Sequence, residues 1–141
     1  MNTLIRITAL ILLGTLLLAA QETDKERTEL KKVMTSFASA LELMQHGILY
    51  NKPDEMHKGA QLLKNNEHRF IQRHGDALVR HMPDNPEFAR SYAKSTGKRI
   101  RNYTDRLNVQ LGGRNDYTQI STTYTHILQE CVGCHQKIRQ W

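Results

Sequence analysis

The sequence predicts an all-α protein, an antiparallel up-down-up-down four-helix bundle, on three observations. Apolar residues recur at alternating steps of three and four in four long stretches. The breaks between those stretches are short and carry proline, asparagine or glycine. No stretch alternates with the period of two that a strand needs, and no internal repeat or low-complexity tract interrupts the pattern. Four helices of roughly 25 residues, each with one apolar stripe and joined by short turns, pack most simply as a bundle.

Residues 1–20 begin with a short polar stretch carrying Arg6, continue as Ala9-Leu10-Ile11-Leu12-Leu13-Gly14-Thr15-Leu16-Leu17-Leu18, and end at Ala19-Ala20 before Gln21. That order is a secretory signal peptide. The apolar run is shorter than the roughly 18 to 20 residues of a spanning helix, so no membrane span is expected after cleavage. No cysteine stands at the cleavage point to take a lipid. The expected mature domain, residues 21–141, is long enough for one core and hardly two. Loss of Arg6 takes the net charge from +6 to about +5. With few aromatics and no binding motif, nucleic acid is not an expected partner of an exported chain. The basic surface suits an acidic redox partner or solubility, and the lack of a compact Lys/Arg cluster favours solubility.

The first helix is expected from Thr23 to about Asn51, capped by Thr23 or Asp24. Leu30, Met34, Phe37, Leu41, Met44 and Ile48 form its buried face, while Lys31, Lys32, Glu42 and Gln45 fall on the other sides. Pro53 suits the start of the second helix, whose seam runs through Met56, Ala60, Leu63, Phe70, His74 and Leu78. The polar run Lys64-Asn65-Asn66-Glu67 has low helix propensity and predicts a kink or short break. Met82-Pro83-Asp84-Asn85-Pro86 ends that element, and Pro86 fits the first turn of the third. The third helix, from about Glu87 to Leu111, has a weaker seam of Phe88, Tyr92, Ile100, Tyr103, Leu107 and Leu111. Its basic residues Lys94, Lys98, Arg99, Arg101 and Arg106 read as a solvated face that could also dock a partner. Gly112-Gly113 stops it, and Asn115 or Asp116 caps the fourth helix.

The fourth helix carries the chemistry. Tyr117, Ile120, Tyr124, Ile127, Cys131, Cys134, Ile138 and Trp141 make one continuous seam, and Cys131 and Cys134 are the only cysteines in the chain. Cys131-Val132-Gly133-Cys134-His135 is a C-x-x-C-H run, the attachment signature of a single covalently bound c-type haem. Each thiol adds across a haem vinyl group to give a thioether, and the adjacent imidazole takes the iron. Helical spacing puts positions i, i+3 and i+4 on one face, so both anchors and the proximal ligand His135 point the same way. A structural zinc site would need a fourth ligand, which this turn does not supply. A thioredoxin-like pair would sit beside a βαβ pattern, which is absent, and a disulfide would strain the helix to little purpose.

An exported helical chain with one such motif near its C-terminus resembles the cytochrome c′ group, the class II c-type cytochromes. The specific residues behind that resemblance are Cys131, Cys134, His135 and Arg139 in Cys-His-Gln-Lys-Ile-Arg. The family commonly has an aromatic before this arginine, where Ile138 stands here. The resemblance implies that Arg139 lies near the haem, and that maturation takes place outside the cytoplasm, in the periplasm. It also implies a function as a periplasmic electron carrier that transforms no substrate, with redox proteins as partners and a homodimer through the first two helices as a familiar arrangement.

The family divides over the sixth iron position. Leu30-Lys31-Lys32-Val33-Met34 resembles the low-spin branch, in which a basic residue shortly precedes a methionine ligand on the first helix, so Met34 is the candidate distal ligand. A thioether favours ferrous iron and a filled position suits electron transfer. Met34 fits equally well as core filler. Phe37, one turn on, could instead wall off an empty position, as in the high-spin, gas-binding (NO/CO) members. Met44 lies about 15 Å along the same helix, so only one of the two methionines can reach the iron. Of His46, His57, His68, His74, His81 and His126, only His74 falls on a predicted seam and could make a bis-histidine site.

Overall fold

In the computed structural model, residues 2–80, 85–113 and 116–139 are described, with side chains over 25–70, 85–113 and 116–137. Four helices appear in order: α1 (Asn2–Leu49), α2 (Pro53–Arg80), α3 (Pro86–Leu111) and α4 (Tyr117–Arg139). By contacts the chain divides into residues 1–32 and 33–141. The first unit is helical over its described length. The second holds the antiparallel four-helix bundle, with residues 33–49 of α1 as its first member. Among the described residues there is no strand, and no helix is long and apolar enough to cross a membrane.

The helix ends follow local chemistry. Asn51 closes α1 in the left-handed region at φ 53°, a conformation asparagine tolerates, and the Lys52 amide reaches back to the Gly47 carbonyl at 2.8 Å. Pro53 then opens α2. Asn85 caps α3, its Oδ1 accepting from the amides of Glu87 and Phe88, with Pro86 in the first turn. Asp116 caps α4 in the same way through Thr118 and Gln119.

Three expectations are corrected. Helix α1 does not begin at Thr23 or Asp24: it is continuous from Asn2, because the segment around those residues has good helix formers and no proline to stop it. Helix α2 does not break at Lys64-Asn65-Asn66-Glu67. Partners on neighbouring helices offset the low propensity there. Asn66 Nδ2 donates to Ser36 Oγ at 2.5 Å, Lys64 Nζ meets Asp105 at 2.5 Å, and Glu67 is paired with Arg101.

The buried face of α3 is the third correction. It consists of Ala89, Ala93, Thr96, Gly97, Ile100, Thr104, Leu107 and Leu111, whereas Phe88 is exposed and Tyr92 and Tyr103 are half-buried. Small side chains let α3 fit between its neighbours, and the Thr104 hydroxyl is satisfied by the Ile100 carbonyl at 2.8 Å. The basic residues of α3 are also not a uniform solvated face. Arg99 pairs with Glu130 on α4 at 2.8 Å and Arg101 with Glu67 on α2, leaving Lys94, Lys98 and Arg106 exposed.

Helices α1 and α2 touch closely where glycine allows it. A Cβ on Gly59 would lie 2.7 Å from the Ala40 carbonyl oxygen, and one on Gly47 2.8 Å from the Met56 amide nitrogen. Around these contacts Ala40, Met44, Met56, Ala60 and Leu63 are fully buried. Tyr124 Oη donates to the Leu41 carbonyl at 3.3 Å and ties α4 to α1. The Phe37 and Phe70 rings meet edge to face, centroids 5.7 Å apart, at the side of the core toward the C-x-x-C-H turn.

Candidate haem site

The C-x-x-C-H residues lie on the penultimate turns of α4, all within its helical span. Cys131, Cys134 and His135 are half-buried, while Val132 between them is exposed, as a seam at spacing i, i+3, i+4 requires. These three residues line a narrow, partly open cleft with a cavity volume of about 40 Å³.

Each helix of the bundle contributes a wall. From α1 come Met34 and Phe37, and from α2 Glu67 and Phe70. From α3 come Ala93, Thr96, Gly97 and Ile100. Met34 thus shares one cleft with the two cysteines and His135, although about a hundred residues separate them along the chain. Met44 does not line it and is fully buried between α1 and α2. Arg139 is the last residue of α4, and its side chain lies outside the described residues.

The other histidines sort themselves by partner. His46 pairs with Glu55, His57 faces Asn108 Oδ1 at 3.3 Å, and His126 stacks on Tyr103 at 5.1 Å. His68 is exposed. None of these four lines the cleft. The side chain of His74 and all of His81 lie outside the described residues.

Both cysteines carry free thiols. Burial pushes the Cys131 thiol up to about 11, with Cys134 and Glu130 adding to the effect. Burial likewise pushes the Cys134 thiol up to about 11, Glu130 adding and Arg99 opposing. Thiols held neutral this way are weak nucleophiles at neutral pH, the opposite of the depressed values in redox-active C-x-x-C pairs.

The donor set and walls fit an iron porphyrin. An imidazole and a thioether are the usual axial pair of an electron-transfer haem, and two thiols three residues apart match its vinyl groups. The aromatic pair Phe37 and Phe70 lines the cleft on the α1 and α2 side, while Ala93 and Gly97 leave part of the α3 wall without bulky side chains. Among the described residues no three His, Cys, Asp or Glu side chains converge on a metal ion by themselves.

Glu67, Ala93, Thr96 and Gly97 escaped the sequence reading. Glu67 had a visible signal: Met56, Ala60, Leu63, Glu67 and Phe70 step by four and three, so a carboxylate stands at a seam position of α2. The α3 residues had none, because small side chains mark a buried face only once the neighbouring helices are placed. Compared with protein-family models, curated proteins and solved structures, the chain finds no match.

Proposed function

We propose that this chain is an exported monohaem c-type cytochrome of the class II kind, an electron carrier in the periplasm that turns over no substrate. The observation that carries the reading is the shared cleft: Cys131, Cys134 and His135 of α4 line the same apolar-walled space as Met34 of α1. Residues 1–20 would direct export as a signal peptide. Haem, when bound, supplies a one-electron ferric/ferrous couple.

The chain's own residues do the rest. Cys131 and Cys134 would hold the group covalently, as thioethers to its vinyl carbons. His135 would hold the iron through its imidazole nitrogen and Met34 through its thioether sulfur. Phe37 and Phe70 keep water away from the cleft, which limits reorganisation when the charge changes. The open mouth of the cleft would leave the bound group accessible for outer-sphere transfer to a partner. By resemblance, Arg139 would stand close enough to add positive charge near the site.

The Phe37–Phe70 pair also favours a second reading. Two aromatic rings lining the cleft beside Met34 could cover an empty sixth position, as in a five-coordinate cytochrome that binds nitric oxide or carbon monoxide. Optical and paramagnetic-resonance spectra of the matured protein separate the two. A low-spin ferric haem that turns high-spin in Met34→Ala supports the carrier. A five-coordinate high-spin haem in the parent protein supports the gas binder. A haem-free scaffold with a redox-active cysteine pair is disfavoured by the raised thiols. A denaturing gel stained for covalent haem tests it, and a colourless band from cells with a working maturation system refutes both haem readings.

A further inference from the structure

Glu67 is a carboxylate at a position where the seam of α2 calls for an apolar side chain, and it is the one acidic residue among the described cleft walls. We propose that Glu67 is a potential-setting residue: its ionised carboxylate, held by Arg101, lowers the reduction potential of the iron bound in the cleft. This rests on the haem reading above.

The geometry of the pair gives it a direction. Arg101 Nε donates to Glu67 Oε2 at 3.0 Å and Nη2 to Oε1 at 3.2 Å, the two-pronged geometry of an arginine–carboxylate ion pair. The Glu67 side chain is only 2% exposed, whereas that of Arg101 is 42% exposed. Water therefore screens the positive end, while the negative end stands dry beside the cleft. The two fields do not cancel inside it, and the net negative potential favours ferric over ferrous iron.

A purely structural role predicts something else. If the pair only braces α2 against α3, its removal loosens the wall, admits water and lowers the potential, since water stabilises the more highly charged ferric state. Loss of the charge itself raises the potential. The sign of the shift therefore separates the two roles.

The experiment is a spectropotentiometric titration of the haem-bearing full chain. Glu67→Gln keeps the size and a hydrogen-bonding oxygen, and it is expected to favour reduction by at least about threefold, on the order of 30 mV at ~59 mV per tenfold for one electron. The double variant Glu67→Gln with Arg101→Gln is expected to shift the same way, because the arginine's charge is already screened; it also stands in if the single variant fails to mature. Asp105→Asn removes one negative charge from an exposed pair with Lys64 away from the cleft, and is expected to shift the potential less. An unchanged or lowered potential in the Glu67 variants overturns the proposal while leaving the haem reading intact. So does an unchanged double variant, which would mean that the paired charges cancel. A colourless parent protein overturns the haem reading itself.

Discussion

Replacing Gly59 by alanine destabilises the bundle, and the same exchange at Gly133 does not. On α2, a Cβ at Gly59 would lie 2.6 Å from Met44 Cγ, 2.7 Å from the Ala40 carbonyl oxygen and 3.0 Å from the Met44 amide nitrogen. The Met44 side chain can swing away, but the other two atoms belong to the backbone of α1. Against a preferred separation of roughly 3.5 Å, the helices would have to part by roughly 0.5–0.8 Å at their closest point. Overpacking of this kind costs about 1–3 kcal/mol, offset by the gain of about 1 kcal/mol that alanine brings to a helix interior. The net loss is up to about 2 kcal/mol.

At Gly133 the nearest outside atom is the Tyr92 hydroxyl at 3.4 Å, the far end of a flexible side chain, so the helix gain of up to about 1 kcal/mol survives. Urea unfolding followed by helical circular dichroism reads the difference as a lower midpoint for Gly59→Ala than for Gly133→Ala at constant slope; at a slope of about 2 kcal/mol per molar, Gly59→Ala falls by up to about 1 M. Moving α1 also moves the helix that carries Met34, so if Met34 ligates a haem as proposed, the visible spectrum of Gly59→Ala should change as well. A Gly59→Ala protein stabilised as much as Gly133→Ala would refute the close packing of α1 on α2.

In the haem-free folded chain, Cys131 and Cys134, with thiols near 11 against an ordinary 9.0, should be alkylated at pH 8 about a hundredfold more slowly than in urea. Equal rates would remove the case against a redox role. Because these folded values are raised, the stabilisation from keeping the thiols neutral is complete below pH 9 and is lost as pH rises from 9 toward 11; an apo-protein melting profile flat across that range contradicts it. Glu55 is held below its ordinary value by the His46 hydrogen bond, with burial opposing and Lys52 assisting. Its contribution is therefore present above about pH 4.5 and lost as pH falls through the folded value, and His46→Gln should flatten the acid limb of the melting profile. Asp116→Ala removes the cap of α4 and should cost about 1 kcal/mol in urea unfolding without affecting covalent haem attachment, which is read on a stained gel.

The chemistry of α4 was legible in the sequence because it is local: a C-x-x-C-H run in a helical seam fixes which side chains share a turn before any tertiary contact forms. The bundle was legible for the same reason, since four apolar stripes and short turns admit few packings. The long seam positions Phe37, Met44, Leu63 and Ile120 are buried where periodicity puts them. Periodicity weighted by side-chain size was misleading on α3, where Ala93 and Gly97 face inward and Phe88 faces water.

By itself the sequence determined the four-helix class, a cap-type pair before Pro86, Asn115 or Asp116 as the cap of α4, and which three α4 residues share one turn. Only the tertiary structure decided that Met34 rather than Met44 lines the cleft with them, and that Lys64-Asn65-Asn66-Glu67 stays helical with Glu67 turned inward onto Arg101. The physical reason is the range of the interactions. Helix propensity, capping and i, i+4 spacing act within a few residues, whereas a buried carboxylate or a cleft wall depends on atoms supplied by another helix.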